Sequence, residues 1–135
     1  MKKLALATML AVGLTGCSSS EETQVLNLYN WSEYMPQEVL DRFTEETGIQ
    51  VVYTTYDSNE AMYARLKLLD DSAAYDLAVP STYYVSKMRQ EDLLMPIDRS
   101  KIEGFDNLSP ELVNLDIDPE NAYSVPFLWG TTGLG

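Results

Sequence analysis

Two runs rich in β-branched and aromatic residues, Val25 to Tyr29 and Ile49 to Tyr56, flank a segment with helical periodicity. That alternation constrains the fold more than any other feature of the chain. The intervening "PQEVLDRFTEETG" opens with Pro36, which a first helical turn tolerates, and closes on Gly48, a C-terminal stop. Val39, Leu40 and Phe43 share one face, with Thr47 below them. Strand, helix and strand in this order predict a right-handed crossover and parallel neighbours. The pattern then recurs. "DSNEAMYARLKLLDD" offers Ser58 or Asn59 as a cap and sets Met62, Leu66 and Leu69 on one stripe, before a short strand from Tyr75 to Pro80. "STYYVSKMRQEDLL" follows as a third helix with Ser81 at its N-cap. The fold class is therefore α/β, built on an open sheet.

Beyond Met95 turn signals dominate, with single-turn helices expected near Ile102 and over Pro110 to Val113. The final "YSVPFLWGTTGLG" reads as a strand interrupted by Pro126.

The first residues belong to targeting rather than to the fold. Lys2 and Lys3 precede an apolar stretch from Leu4 to Leu14, and Leu14-Thr15-Gly16-Cys17 resembles a bacterial lipobox. Residues 1–16 are read as a lipoprotein signal peptide, 17–24 as a lipidated cysteine with a flexible tether, and 25–135 as the folded segment. Cys17 is the only cysteine, so no disulfide can form within the chain. A periplasmic location with a lipid anchor follows, the choice of membrane staying open. Losing Lys2 and Lys3 with the leader takes the net charge from −12 to −14. An acidic surface argues against nucleic acid and attracts cations. With no histidine in the sequence, histidine triads and relays are excluded.

In open α/β sheets, ligands sit beyond the carboxyl ends of the strands, so the loops leaving those ends are where function belongs. Two such loops combine aromatic faces with hydroxyls: Asn30-Trp31-Ser32-Glu33-Tyr34, and Pro80-Ser81-Thr82-Tyr83-Tyr84. A cation on a hydrocarbon stem would use this set well, since aromatic faces attract the charge and cover the methylenes while Glu33 pairs with an ammonium. Core packing is the competing use of Trp31, Tyr34, Tyr83 and Tyr84. The series Asp116, Asp118 and Glu120 lacks the glycine and terminal glutamate of an EF-hand, and like Asp70-Asp71 reads as solvated turn. Tyr83-Tyr84 as a ferric-ion pair and Ser81 as a hydrolase nucleophile find no supporting residues. Neither a catalytic residue, a metal nor a cofactor is expected.

The motifs "LYNWSEYMP", "FTEETGIQVVYTTYDSNEAMYARLK", "YDLAVPSTYYVSKMR" and "YSVPFLWGTTGLG" occur in order between Val25 and Gly135. Together they resemble the spermidine/putrescine-binding proteins of bacterial ABC polyamine transporters, the PotD family of type II periplasmic binding proteins. The resemblance implies that Trp31, Ser32, Glu33 and Tyr34 contact the polyamine and that Ser81 and Tyr83 line the cleft. The family more often has threonine where Ser32 stands, and serine keeps the hydroxyl. It further implies an inner-membrane ABC permease as partner, a monomeric binding protein, and no catalysed reaction. The family has two α/β lobes, and the sequence is expected to supply only the first segment of lobe one. Two alternatives accompany this reading: a polyamine-sensing protein that serves a membrane signalling receptor, and a truncated product without binding of its own.

Overall fold

Seven residues of the first apolar run, Val25–Trp31, form β1, and the helix after it, α1, spans Gln37–Thr47. β2 (Gln50–Tyr56), α2 (Asn59–Leu68), β3 (Leu77–Ala78) and α3 (Thr82–Gln90) follow, then 3-10 turns at Arg99–Lys101, Phe105–Asn107 and Pro119–Asn121. The computed structural model describes residues 23–69, 75–130 and 133. The leader, Cys17, the tether to Glu22 and the Asp70-Asp71 pair lie outside the described residues.

α1 stops where expected. Gly48 takes φ 73° and ψ 1°, and its N–H donates to the Thr44 carbonyl at 2.8 Å. A side chain in that left-handed conformation would be strained, which is why glycine serves there. Pro36 stands one position earlier than expected, as the N-cap rather than inside the first turn. On the face read as apolar only Leu40 is buried, while Val39 and Phe43 stay exposed, no described layer covering them.

The three strands form a parallel sheet in the order β2-β1-β3. β1 pairs along its whole length with β2, from Val25 opposite Gln50 to Trp31 opposite Tyr56. β3 is far shorter than the expected Tyr75 to Pro80, pairing only Leu28 with Leu77 and Tyr29 with Ala78. At its start the Asp76 carboxylate accepts from the Asn27 N–H at 2.7 Å in place of a strand carbonyl. At its end Val79 N–H still reaches the Tyr29 carbonyl at 3.0 Å, but Pro80 has no N–H with which to continue.

Because β2 and β3 flank β1 on opposite sides, the chain reverses direction across the sheet between them. The switch point of the sheet, where ligands bind in folds of this kind, therefore lies between the carboxyl ends of β1 and β3. Beneath it the core gathers Tyr29, Tyr56, Met62, Tyr84 and Met88. Tyr29 stacks on Tyr75 at 4.2 Å and meets Tyr56 edge-on at 4.8 Å. On the α2 stripe Met62 is fully buried, and Leu66 packs partly against the same cluster.

The remainder departs from expectation in three places. Pro110 to Val113 make a turn closed by Leu112 N–H on Ser109 carbonyl, without a helical turn. The segment from Tyr123 to Gly130 forms no strand, since Pro126 interrupts its donors and no described strand lies alongside to pair with it. Asp118 is no solvated turn residue but 1% exposed. Its Oδ2 accepts from Tyr123 N–H at 3.1 Å and Ser124 Oγ at 2.6 Å, closing the turn around itself. Arg89 stands 3.9 Å from the other oxygen.

Candidate ligand-binding site

Parallel strands present all their carboxyl ends on one side of the sheet, so the loops after β1, β2 and β3 converge there. The first loop is anchored before it leaves the sheet. Trp31 N–H donates to the buried Asn30 Oδ1 at 2.8 Å, and the Tyr53 hydroxyl donates to the Trp31 carbonyl at 3.2 Å. Ser32 N–H continues the ladder onto the Tyr56 carbonyl at 3.1 Å. The chain then turns within Trp31 to Tyr34, with Glu33 at φ 61°. A positive φ at the third position of a four-residue turn normally calls for glycine or asparagine. Glu33 occupies it at a cost in backbone strain and points an exposed carboxylate from the turn.

Trp31 takes part in packing, the competing use weighed for it. Its indole is half-buried against the Tyr56 ring at 4.8 Å, and the Tyr34 ring lies 6.0 Å away. Tyr34 itself is 46% exposed. Tyr56 is a structural member of the wall: its hydroxyl donates to the Val79 carbonyl, tying the end of β2 to the loop after β3. Burial, with lesser contributions from Tyr29, Tyr34 and Tyr53, pushes its phenol pKa up, so it stays neutral.

In the second loop the two tyrosines part company. Tyr83 is 62% exposed, with its ring 5.1 Å from that of Tyr84. Tyr84 is buried and its hydroxyl donates to Glu60 Oε1 at 3.2 Å. Burial first, and Glu60 second, raise the Tyr84 pKa, the opposite of what a ferric phenolate requires. Ser81 occupies the N-cap of α3, but its side chain makes no capping bond.

All six residues singled out in the sequence therefore lie at the carboxyl ends of adjacent strands: Trp31 closes β1, Ser32, Glu33 and Tyr34 follow it, Ser81 is the N-cap of α3 and Tyr83 sits in its first turn. Two polar residues at the carboxyl end of β2, Asp57 in the loop and Asn59 opening α2, join them and were missed. Asp57 accepts from Ser32 Oγ at 2.7 Å, which sets a second exposed carboxylate next to the turn carrying Glu33. Asn59 bonds to both Ser81 and Tyr83. The rule that located the other two loops also covers Asp57-Ser58-Asn59; reading that stretch only as a helix cap hid them. A groove of about 530 Å³ elsewhere is lined by Arg99 to Asp106 and by none of these residues, and Arg99 already stacks on Phe105 there at 4.1 Å. Among the described residues no acidic or cysteine cluster gathers that could hold a metal ion.

Comparison with known proteins agrees with this architecture. The chain is 52% identical over 134 residues to the spermidine/putrescine-binding periplasmic protein of Salmonella typhimurium, covering 99% of this chain and 38% of that protein. Among solved structures, the spermidine/putrescine ABC transporter substrate-binding protein of Streptococcus pneumoniae superposes with a TM-score of 0.74 at 53% identity, covering 79% of this chain and 32% of that one. The Treponema pallidum PotD lipoprotein gives 0.71 at 40% identity, over 78% and 33%. These relatives bear out the resemblance carried by the four motifs and the α/β fold class. The chain spans well under half the length of the relatives it matches. A family model described as "Hypothetical lipoprotein (MG045 family)" matches residues 1–113, most of the sequence, and the chain belongs to that lipoprotein family.

Proposed function

We propose that this chain supplies one wall of a polyamine site in a lipid-anchored solute-binding protein, which captures spermidine or putrescine and delivers it to an inner-membrane ABC permease. The observation that carries the reading is the strained Trp31 to Tyr34 turn at the sheet's switch point, which exposes Glu33 and carries an aromatic ring at each end. An ammonium group pairs with Glu33 while the methylenes behind it lie along Trp31 and Tyr34. Burial contributes about 0.8 kcal/mol per methylene and a desolvated cation–π contact about 2 kcal/mol, so the wall suits an alkylamine better than a compact inorganic cation. Asp57 adds a carboxylate within reach of a second ammonium on the same ligand. Ser81 and Tyr83 offer hydroxyl oxygens from the neighbouring loop.

The names of the relatives support the ligand class, and the lipoprotein family supports acylation of Cys17 after removal of residues 1–16. Within this reading the protein is monomeric and catalyses no reaction, and the sequence has no histidine to activate the hydroxyls of the site. Calorimetric titration of the full-length protein with spermidine tests the reading. Trp31→Ala and Glu33→Ala are each expected to weaken binding by about 1 to 2 kcal/mol. Unchanged affinity in both variants would remove these residues from the site.

A further inference from the structure

Asn59 opens α2, yet its side chain is spent on the start of α3. It is 4% exposed, and its amide makes three bonds to the loop leaving β3. Ser81 N–H donates to Oδ1 at 3.0 Å, while Nδ2 donates to Ser81 Oγ at 3.0 Å and to the Tyr83 hydroxyl oxygen at 2.8 Å. The orientation of the amide is forced, because a backbone N–H can only donate. Oδ1 must face Ser81 N, which turns the NH2 group toward the two hydroxyls. A serine at an N-cap ordinarily accepts from the helix's own first N–H groups. Ser81 does not, its oxygen being held by Asn59 instead.

We infer that Asn59 is a positioning residue for the ligand wall, holding Ser81 and Tyr83 in place without touching the ligand itself. The inference rests on the polyamine reading of that wall. Tyr83 is the most exposed aromatic of the site, with Tyr84 as its aromatic neighbour, so packing alone does little to fix its ring. A bond from a buried amide does what packing does not. It orders the side chain at folding, so that less rotamer entropy is lost on binding. It also occupies one lone pair on each hydroxyl oxygen and leaves the other for a ligand N–H.

Two measurements on the full-length protein test this. The first is hydrogen exchange at the Ser81 amide without ligand, in wild type, Asn59→Ala and Asn59→Asp. Exchange is expected to be slow in wild type and in the aspartate variant, which keeps the acceptor, and fast in the alanine variant. Unchanged exchange in Asn59→Ala overturns the inference whatever the ligand result. The second is a double-mutant cycle on spermidine affinity combining Asn59→Ala with Tyr83→Phe. Asn59→Ala is expected to weaken binding about tenfold, and Tyr83→Phe to cost distinctly less in the Asn59→Ala background than in wild type, because the Tyr83 hydroxyl is already released from its amide there. Additive losses, or wild-type affinity in Asn59→Ala, overturn the inference and leave the polyamine reading standing. If Asn59→Ala does not fold, Asn59→Leu, which removes the amide at similar volume, takes its place in the cycle, and additivity with Tyr83→Phe again overturns the inference. Failure of the wild-type protein to bind spermidine or putrescine would instead overturn the proposed function, and the exchange experiment would still decide the role of Asn59.

Discussion

Glu33 sits in a conformation that glycine would adopt without strain, φ 61° in a tight turn. Strain retained at one exposed position is understandable if the side chain there has work that glycine cannot do. Stability and binding should therefore move in opposite directions at this residue. Glu33→Gly is expected to hold or raise stability, by up to about 1 kcal/mol after the entropy of the freer unfolded chain is counted, while weakening spermidine binding. Chemical denaturation showing a clear loss of stability in the glycine variant would mean that the turn is not strained. Ser32 gains a partner that local reading does not supply. Its hydroxyl was expected at the ligand, and it donates to Asp57, 25 positions away in sequence.

At the scale of elements, two serines that look alike in sequence have different duties. Ser58 caps α2, its Oγ accepting from Ala61 N–H at 3.1 Å. Ser81 holds the same position on α3 and caps nothing with its side chain. Ser58→Ala is expected to cost about 1 kcal/mol of stability and Ser81→Ala distinctly less, as read by urea denaturation; equal losses would contradict the assignment. The helices are also tied by charge. The Tyr63 hydroxyl on α2 donates to Glu91, the residue that ends α3, and Lys67 Nζ reaches the same oxygen at 3.0 Å, with Lys87 close above the Tyr63 ring. The bond from Tyr63, and then that from Lys67, hold the Glu91 carboxyl below the usual carboxylate range. A carboxyl lowered in the folded state adds stability above its ordinary value and loses it as pH falls through the lowered one. Glu91→Gln should accordingly depress the thermal midpoint at neutral pH, with the gap to wild type closing below the ordinary glutamate value of 4.5. A gap independent of pH would show that the ionised carboxylate contributes nothing.

For the whole molecule, the site is a wall rather than a pocket. Under the proposed function Glu33 and Asp57 would meet a ligand that carries three charges when it is spermidine, and nothing described stands opposite Trp31 and Tyr83. The 135-residue chain alone is expected to bind spermidine more weakly than micromolar; micromolar affinity by calorimetry would show that a single wall suffices. The alternation of β1, α1, β2 and α2 was legible in the sequence, as were the stop at Gly48 and the position of the Trp31 to Tyr34 and Ser81 to Tyr83 stretches at the carboxyl ends of β1 and β3. Periodicity, a glycine and strand-end loops are local properties, and a local reading recovers them. The β2-β1-β3 order, the curtailment of β3 to two paired residues, the burial of Asp118 and the service of Asn59 to a different helix were not legible. Each of these depends on partners brought together by the fold: Asp76 against Asn27, Arg89 against Asp118, and Asn59 against Ser81 and Tyr83, the last pair 22 and 24 positions away. The sequence alone determined that β1, α1, β2, α2 and α3 form in that order and which loops carry the aromatic and acidic groups. Only the tertiary structure decided which hydroxyl meets which amide or carboxylate, because hydrogen bonds between distant residues follow from strand order and register rather than from any local pattern.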